Sequence, residues 1–332
     1  MSDVMIEARD LTKRYDDVLA LDKVSMTVRK GEVLGFLGPN GAGKSTTMKI
    51  LTCFTAPTEG TAKISGFDIQ EDSLAARAAI GYLPENNPLY PDMIVLEYLE
   101  FAAEIRGIAK ADAKKRIKMI VEQTGLGAKF AQPIRTLSKG YRQRVGLAQA
   151  LIHEPPILIL DEPMSGLDPN QAVEIRDLIK EIGRSRTVVL STHNLAEVQV
   201  ACDRVLIISK GKIVADDTPD GLRERAGKAR FVVGLIDGGP VDGSKASTDR
   251  AEKVLREVGG VERVRKLEAE AGEVRFEVLP KGTDDLRPAL FKSAVDNQLT
   301  LIELSREGQN LEEIFRDLTT SAAKSASIAP AA

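Results

Sequence analysis

The chain has 332 residues, 43% of them hydrophobic and 29% charged, enough for a sizeable core beneath a soluble surface in one large domain plus an accessory one. Its 46 basic and 49 acidic residues leave a net charge of −3, without the basic excess that marks nucleic-acid binding, so no nucleic-acid partner is expected. Cys53 and Cys202 are the two cysteines and lack metal-ligand spacing, which excludes a disulfide framework and fits a reducing cytoplasm.

Met1 to Asp10 lacks the basic start and apolar run of an export signal, and no stretch approaches the roughly 20 apolar residues that cross a bilayer. Short alternating stretches between Val4 and Val28, such as Ser25-Met26-Thr27-Val28, predict antiparallel strands divided by polar turns. The apolar run from Glu32 to Leu37 then enters a glycine-rich stretch and a helix-like Lys44 to Leu51. Gly38-Pro39-Asn40-Gly41-Ala42-Gly43-Lys44-Ser45 matches the full P-loop pattern in the strand-to-helix setting that its chemistry requires. Glycines let backbone N–H groups turn inward around phosphate oxygens, and the helix N-terminus adds a favourable dipole. Lys44 is expected to reach the outer phosphates and Ser45 to ligate Mg²⁺, with Thr46 completing the cradle.

Between Leu74 and Ala150 the pattern turns helical, through Val95-Leu96, Leu99 and Ala102-Ala103 and again through Ile117, Ile120 and Val121, predicting a helical subdomain over about residues 86–150. Buried strands are predicted at Ile157–Leu160, Thr187–Leu190 and Val205–Ile208, alternating with helices such as Gln171–Ile182, as in a parallel α/β sheet. The first of these ends in Asp161-Glu162. A strand-end acid on its own is only a solvated group; downstream of a P-loop, Asp161 is expected to reach Mg²⁺ and Glu162 to polarise the attacking water, a role that gives about 10²–10⁴ in rate.

After Thr218-Pro219 the chemistry signals stop. Strand Phe231–Ile236, helix Asp249–Val258, strands Val261–Leu267 and Glu273–Leu279, helix Leu286–Asp296 and strand Thr300–Leu304 follow in the β-α-β-β-α-β order of a ferredoxin-like domain. The boundaries expected are a nucleotide-binding domain over residues 1–220 and an accessory domain over 228–320. A turn-rich loop is predicted from Gly238 to Ser247, a closing helix over Leu311–Leu318, and a disordered Ala/Ser-rich tail over 321–332.

From Ile6 to Asp216 the sequence resembles the nucleotide-binding subunits of ABC transporters, because several independent motifs occur in that family's order. Leu137-Ser138-Lys139-Gly140-Tyr141-Arg142-Gln143-Arg144 resembles its signature, which by resemblance crosses a dimer interface so that Ser138 and the Gly140 backbone grip the γ-phosphate bound by the other subunit. Taken alone, Ser138 before a helix is an ordinary N-cap. Ser165-Gly166-Leu167-Asp168 resembles the D-loop, which brings Asp168 into the site, Thr192-His193 resembles the switch histidine, and Tyr15 resembles the aromatic platform for adenine. The resemblance implies an ABC-type P-loop ATPase of α/β fold with ATP and Mg²⁺ as cofactors. It also implies a homodimer that sandwiches ATP, and an integral-membrane permease partner on the cytoplasmic face of the membrane.

Two departures stand out. Glu85 in Gly81-Tyr82-Leu83-Pro84-Glu85 occupies a position where the family often has Gln, which alters a predicted metal contact, and Lys139 and Tyr141 replace the commoner Gly and Gln of the signature. Both suit a branch resembling gliding-motility and drug-export ATPases, which implies outward transport. Asn86-Asn87-Pro88-Leu89-Tyr90-Pro91 lies where the family contacts its permease. The rival class is a soluble ABC-type ATPase acting on ribosomes or DNA; such proteins tend to carry paired ATP domains or long coiled coils, whereas this sequence has one P-loop and no sustained heptads. A purely regulatory nucleotide binder fits poorly with the intact Asp161, Glu162 and His193.

Overall fold

Apolar and polar residues alternate along β1 (Val4–Tyr15) and β2 (Val18–Arg29), giving each strand one buried and one exposed face, and the two pair as an antiparallel hairpin with Tyr15 opposite Val18. This is a computed structural model that describes residues 3–225, 230–237, 245–269, 273–282, 284–307, 315–316 and 319. Every residue of β3 (Val33–Leu37) is buried, as befits a strand covered on both faces, and it leads through the glycine-rich loop into α1 (Lys44–Leu51). Strands β4 (Glu59–Ile64) and β5 (Phe67–Asp68) complete a four-stranded antiparallel sheet in the order β2-β1-β4-β5.

Helix α2 (Ser73–Ala78) precedes β6 (Ile80–Leu83), a strand inside a segment whose pattern reads as helical. Ile80, Gly81 and Leu83 are buried and Tyr82 is half-buried, so this strand shows no apolar–polar alternation to mark it in sequence. Helices α3 (Val95–Ile105), α4 (Lys110–Gln123) and α5 (Lys139–Leu151) follow and pack on one another through side chains at helical spacing, such as Val95, Leu99 and Ala102 of α3. Then come β7 (Ile157–Asp161), α6 (Pro169–Gly183), β8 (Thr187–Thr192), α7 (Leu195–Ala201), β9 (Arg204–Ser209) and β10 (Lys212–Asp217). The six-stranded sheet runs β10-β9-β3-β8-β7-β6, parallel throughout except for β10 against β9.

The two-residue period divides each central strand between two cores. In β7, Ile157 and Ile159 join Ile6, Leu21, Phe36 and Met48 on the side of the antiparallel sheet, while Leu158 and Leu160 join Leu99, Leu147 and Ile179 on the helical side. These strands are held from above and below, so their ends are fixed platforms for side chains.

The chain divides into two compact units, the second running from Asp220 to Arg316. Beyond α8 (Pro219–Arg225), the second unit contains β11 (Arg230–Asp237), α9 (Lys245–Arg256), β12 (Val261–Leu267), β13 (Val274–Pro280), α10 (Arg287–Asp296) and β14 (Leu299–Glu307). Its antiparallel sheet is ordered β12-β13-β11-β14, a ferredoxin-like arrangement around its own core of Phe231, Leu255, Phe276 and Leu290. Helix α9 takes the end of the loop predicted from Gly238 to Ser247 and the rest of that loop lies outside the described residues, as do the 321–332 tail and most of the Leu311–Leu318 helix. Among the described residues, no helix is long and apolar enough to cross a membrane.

Candidate active site

Neighbouring parallel strands deliver the chemistry-bearing residues to one edge of the sheet. At the carboxyl ends of β3, β8, β7 and β6 stand Gly38, Thr192-His193, Asp161-Glu162 and Pro84-Glu85, the place where open α/β sheets bind ligands. A cleft of about 610 Å³ opens there, lined by Asn40, Gly41, Gly43, Lys44, Ser45 and Thr46 of the loop together with Glu85, Glu162, Ser165 and His193.

Two glycines make the loop possible. Gly43 is the N-cap of α1 with φ of 110°, and a Cβ on it would lie 2.8 Å from Ala20 O; a Cβ on Gly38 would lie 2.5 Å from Ile208 O. Pro39 O accepts the Ala42 N–H at 3.1 Å and Ala42 O accepts the Gly211 N–H at 2.9 Å, so the loop is tied to itself and to the β9-β10 turn. No side chain caps α1. Its first N–H groups are therefore available to an anion.

Lys44 and Glu162 are both buried, at 6% and 7% exposure, and buried charges need partners. Lys44 Nζ donates to Gly38 O at 2.8 Å and to Pro39 O at 3.3 Å, and lies 3.3 Å from Glu162 Oε1. The other carboxylate oxygen, Oε2, is 2.8 Å from Nδ1 of the half-exposed His193. One carboxylate thus joins the phosphate-loop lysine to the histidine after β8. Glu162 adopts φ of 50°, a left-handed conformation that costs a non-glycine residue roughly 1–2 kcal/mol. Its N–H is held by Ser191 O at 2.9 Å and its C=O by the Ser165 N–H at 3.0 Å, which fixes the conformation despite that cost.

Asp161 is buried, and its Oδ1 has no hydrogen-bond partner. Burial pushes the Tyr82 hydroxyl pKa upward, and the Asp161 and Glu85 charges push it further, so both carboxylates act on one neighbourhood. Among the described residues, no three His, Cys, Asp or Glu side chains gather to hold a metal by themselves. An orphaned carboxylate oxygen beside a phosphate cradle fits Mg²⁺, which takes one or two protein oxygens and completes its shell with phosphate oxygens and water.

Of the residues predicted for the site, Tyr15, Ser138, Gly140 and Asp168 do not line this cleft, and neither do Gly38, Pro39, Ala42 and Asp161, which lie in or beside the segments that do. Tyr15 is 44% exposed with Lys13 Nζ 5.0 Å from its ring centroid, and the neighbouring wall is made by Val18, Leu19 and Ala20, an apolar hairpin tip that reads in sequence as ordinary strand. Ser138 is the exposed N-cap of α5 and accepts the Tyr141 N–H at 3.4 Å; Asp168 caps α6 by accepting the Gln171 N–H at 3.0 Å. Gln171 packs so closely on Gly140 that a Cβ there would lie 2.7 Å from its Oε1. The starts of α5 and α6 thus meet each other, while Ser165 at the head of the D-loop lines the cleft and donates its N–H to Glu162 O.

The sequence profile described as ABC transporter matches residues 21–165. Linearmycin resistance ATP-binding protein LnrL of Bacillus subtilis (strain 168) is 29% identical over 316 residues, covering 95% of this chain and 98% of that protein. The uncharacterized ABC transporter ATP-binding protein YdbJ of the same organism is 34% identical over 322 residues, covering 96% and 97%. A dimeric ATP-binding cassette solved in a post-hydrolysis state with ADP and Pi is 28% identical with a TM-score of 0.59, over 64% of this chain and 98% of that one. A phosphate loop, strand-end acids and a following histidine on this fold, with relatives matched along nearly their whole length, make the chain a member of the ABC transporter family, an ATP-binding and ATP-hydrolysing subunit.

Proposed function

We propose that this chain is the motor subunit of an export-type transporter that removes drug-like compounds, acting as a homodimer on an integral-membrane permease from the cytoplasmic face. The observation that carries the reading is the Lys44–Glu162–His193 chain at the mouth of the P-loop cleft. The resistance named for the relative LnrL supports the class of cargo and the outward direction.

In this reading the Gly38–Thr46 loop wraps the phosphates of ATP, Lys44 takes the β- and γ-phosphate oxygens, and Tyr15 stacks on adenine. Ser45, Asp161 and Glu85 would hold Mg²⁺, which supplies charge neutralisation at the phosphates. Glu162 accepts the proton of a water as its oxygen bonds to the γ-phosphorus and the bridging bond to ADP breaks. His193 keeps that carboxylate aimed and reaches the γ-phosphate. Ser138, Gly140 and Asp168, which do not line the cleft of their own chain, serve by family resemblance the cleft of a second copy packed head to tail. The γ-phosphate then touches both copies, ATP favours the closed dimer by its differential affinity, and hydrolysis removes the bridge. Asn86 to Pro91, after Glu85, carries the motion to the permease.

Lys44→Ala is expected to abolish nucleotide binding or turnover. Glu162→Gln should retain ATP binding, slow hydrolysis by about 10²-fold or more and accumulate a dimer visible by sedimentation. Turnover at the unmodified rate in Glu162→Gln would remove it as the base. Recovery from native membranes together with an integral-membrane protein is the expected outcome of co-purification; recovery with ribosomes or DNA would overturn the transport reading.

A further inference from the structure

Behind His193 lies an acid that the reaction described so far does not use. Glu197 sits in the first turn of α7, and its Oε2 accepts a hydrogen bond from Thr192 Oγ1 at 2.6 Å. That hydroxyl oxygen in turn accepts the Asn194 N–H at 3.0 Å, and Asn194 Oδ1 caps α7 by accepting the Ala196 N–H at 3.0 Å. Thr192 is fully buried, and its carbonyl accepts the Gly38 N–H of the phosphate loop at 3.3 Å. The residue enclosed by these bonds is His193. Its ring is half exposed, and the hydrogen bond to Glu162 is what directs it.

A threonine hydroxyl has both a donor and an acceptor role, and a carboxylate that accepts its hydrogen bond fixes the rotamer and leaves a lone pair facing one N–H. Burial pushes the Glu197 carboxyl above its ordinary range and the Glu162 charge pushes it further, while Thr192, His193 and Asn194 hold it down. A carboxylate kept in such a place has a cost that helix capping alone does not require, since Asn194 already provides the cap.

We propose that Glu197 is a positioning residue for ATP hydrolysis: by holding the Thr192 hydroxyl it fixes the Thr192-His193-Asn194 turn that aims the His193 ring at Glu162. This rests on the reading above, in which Glu162 and His193 act in hydrolysis. Glu197 touches neither nucleotide nor water in this scheme, so its effect falls on turnover and not on binding.

Steady-state turnover and calorimetric ATP binding of the full chain test the proposal with Glu197→Ala, Glu197→Gln, His193→Ala and the Glu197→Ala/His193→Ala pair. Glu197→Ala should lower kcat by about tenfold while the Kd for ATP stays within about twofold. Glu197→Gln should recover most of that loss, because its amide oxygen accepts the same hydroxyl. The pair should be no slower than His193→Ala alone, since both changes disable one device. Unchanged kcat in Glu197→Ala, losses that multiply in the pair, or Glu197→Gln as slow as Glu197→Ala would each overturn the inference. If Glu197→Ala does not fold, Glu197→Gln and Thr192→Val decide: a fast Gln variant and a slow Val variant are expected, and the reverse overturns it. A slow His193→Ala beside a fast Glu197→Ala sinks this inference alone, whereas a fast His193→Ala sinks the histidine's role and this inference with it.

Discussion

Burial, helped by the Arg106 guanidinium, pushes the His153 imidazole down to about 4, although its Nε2 lies 3.0 Å from Ile80 O. In an unfolded chain a histidine protonates near pH 6.5, so on acidification the unfolded state takes up the proton first. The contribution of His153 is therefore fully present above about pH 6.5 and is lost as pH falls towards about 4. Urea unfolding should show stability declining across that window, and His153→Gln should flatten the decline; an unchanged slope would assign it to other groups. At this scale the sequence is readable wherever the chemistry is local. Gly38 to Ser45, Asp161 and Glu162 declare themselves through spacing on a strand and the start of a helix. The contacts of Glu162 with Lys44 and His193 join segments far apart in the chain, which no local pattern displays. Glu197 reads as one more acid on a short helix, because its partner Thr192 lies on the preceding strand.

Among the elements, α5 separates stability from function. Its N-cap hydrogen bond from the Tyr141 N–H to Ser138 Oγ is long, at 3.4 Å and exposed, so the cap contributes at the low end of the usual range. Ser138→Ala should therefore cost about 0.5 kcal/mol in thermal or urea unfolding, yet should abolish the ATP-dependent dimer of Glu162→Gln in sedimentation. A dimer that persists would show that Ser138 is a cap and nothing more. Strands β7, β8 and β9 are legible as apolar runs because both their faces are covered. Strand β6 is not, since its short run sits among helical patterns and is defined by pairing with β7. Tyr82, on β6, is thereby brought beside Asp161 and Glu85, a neighbourhood set by the sheet order.

Among the described residues the two units have separate cores, two clusters about the central sheet in the first and one cluster in the second. Every residue lining the P-loop cleft belongs to the first unit. Calorimetry of the full chain should thus resolve two transitions, with ATP at about 100 times its Kd stabilising one of them by about 2.7 kcal/mol and leaving the other in place; a single transition, or both moving together, would show that the units unfold as one. The β-α-β-β-α-β order of the second unit is readable from its alternating strands, whereas the service of Ser138, Gly140 and Asp168 to a second copy, proposed above, comes only from family resemblance, since a site shared between copies would leave no periodic trace in one chain. The chain's histidine content brings an experimental convenience. With two imidazoles in the sequence and one of them kept neutral above about pH 5, isotope labelling of histidine yields a magnetic-resonance spectrum in which the ring beside Glu162 stands out as a native beacon, able to follow each catalytic cycle without an attached dye.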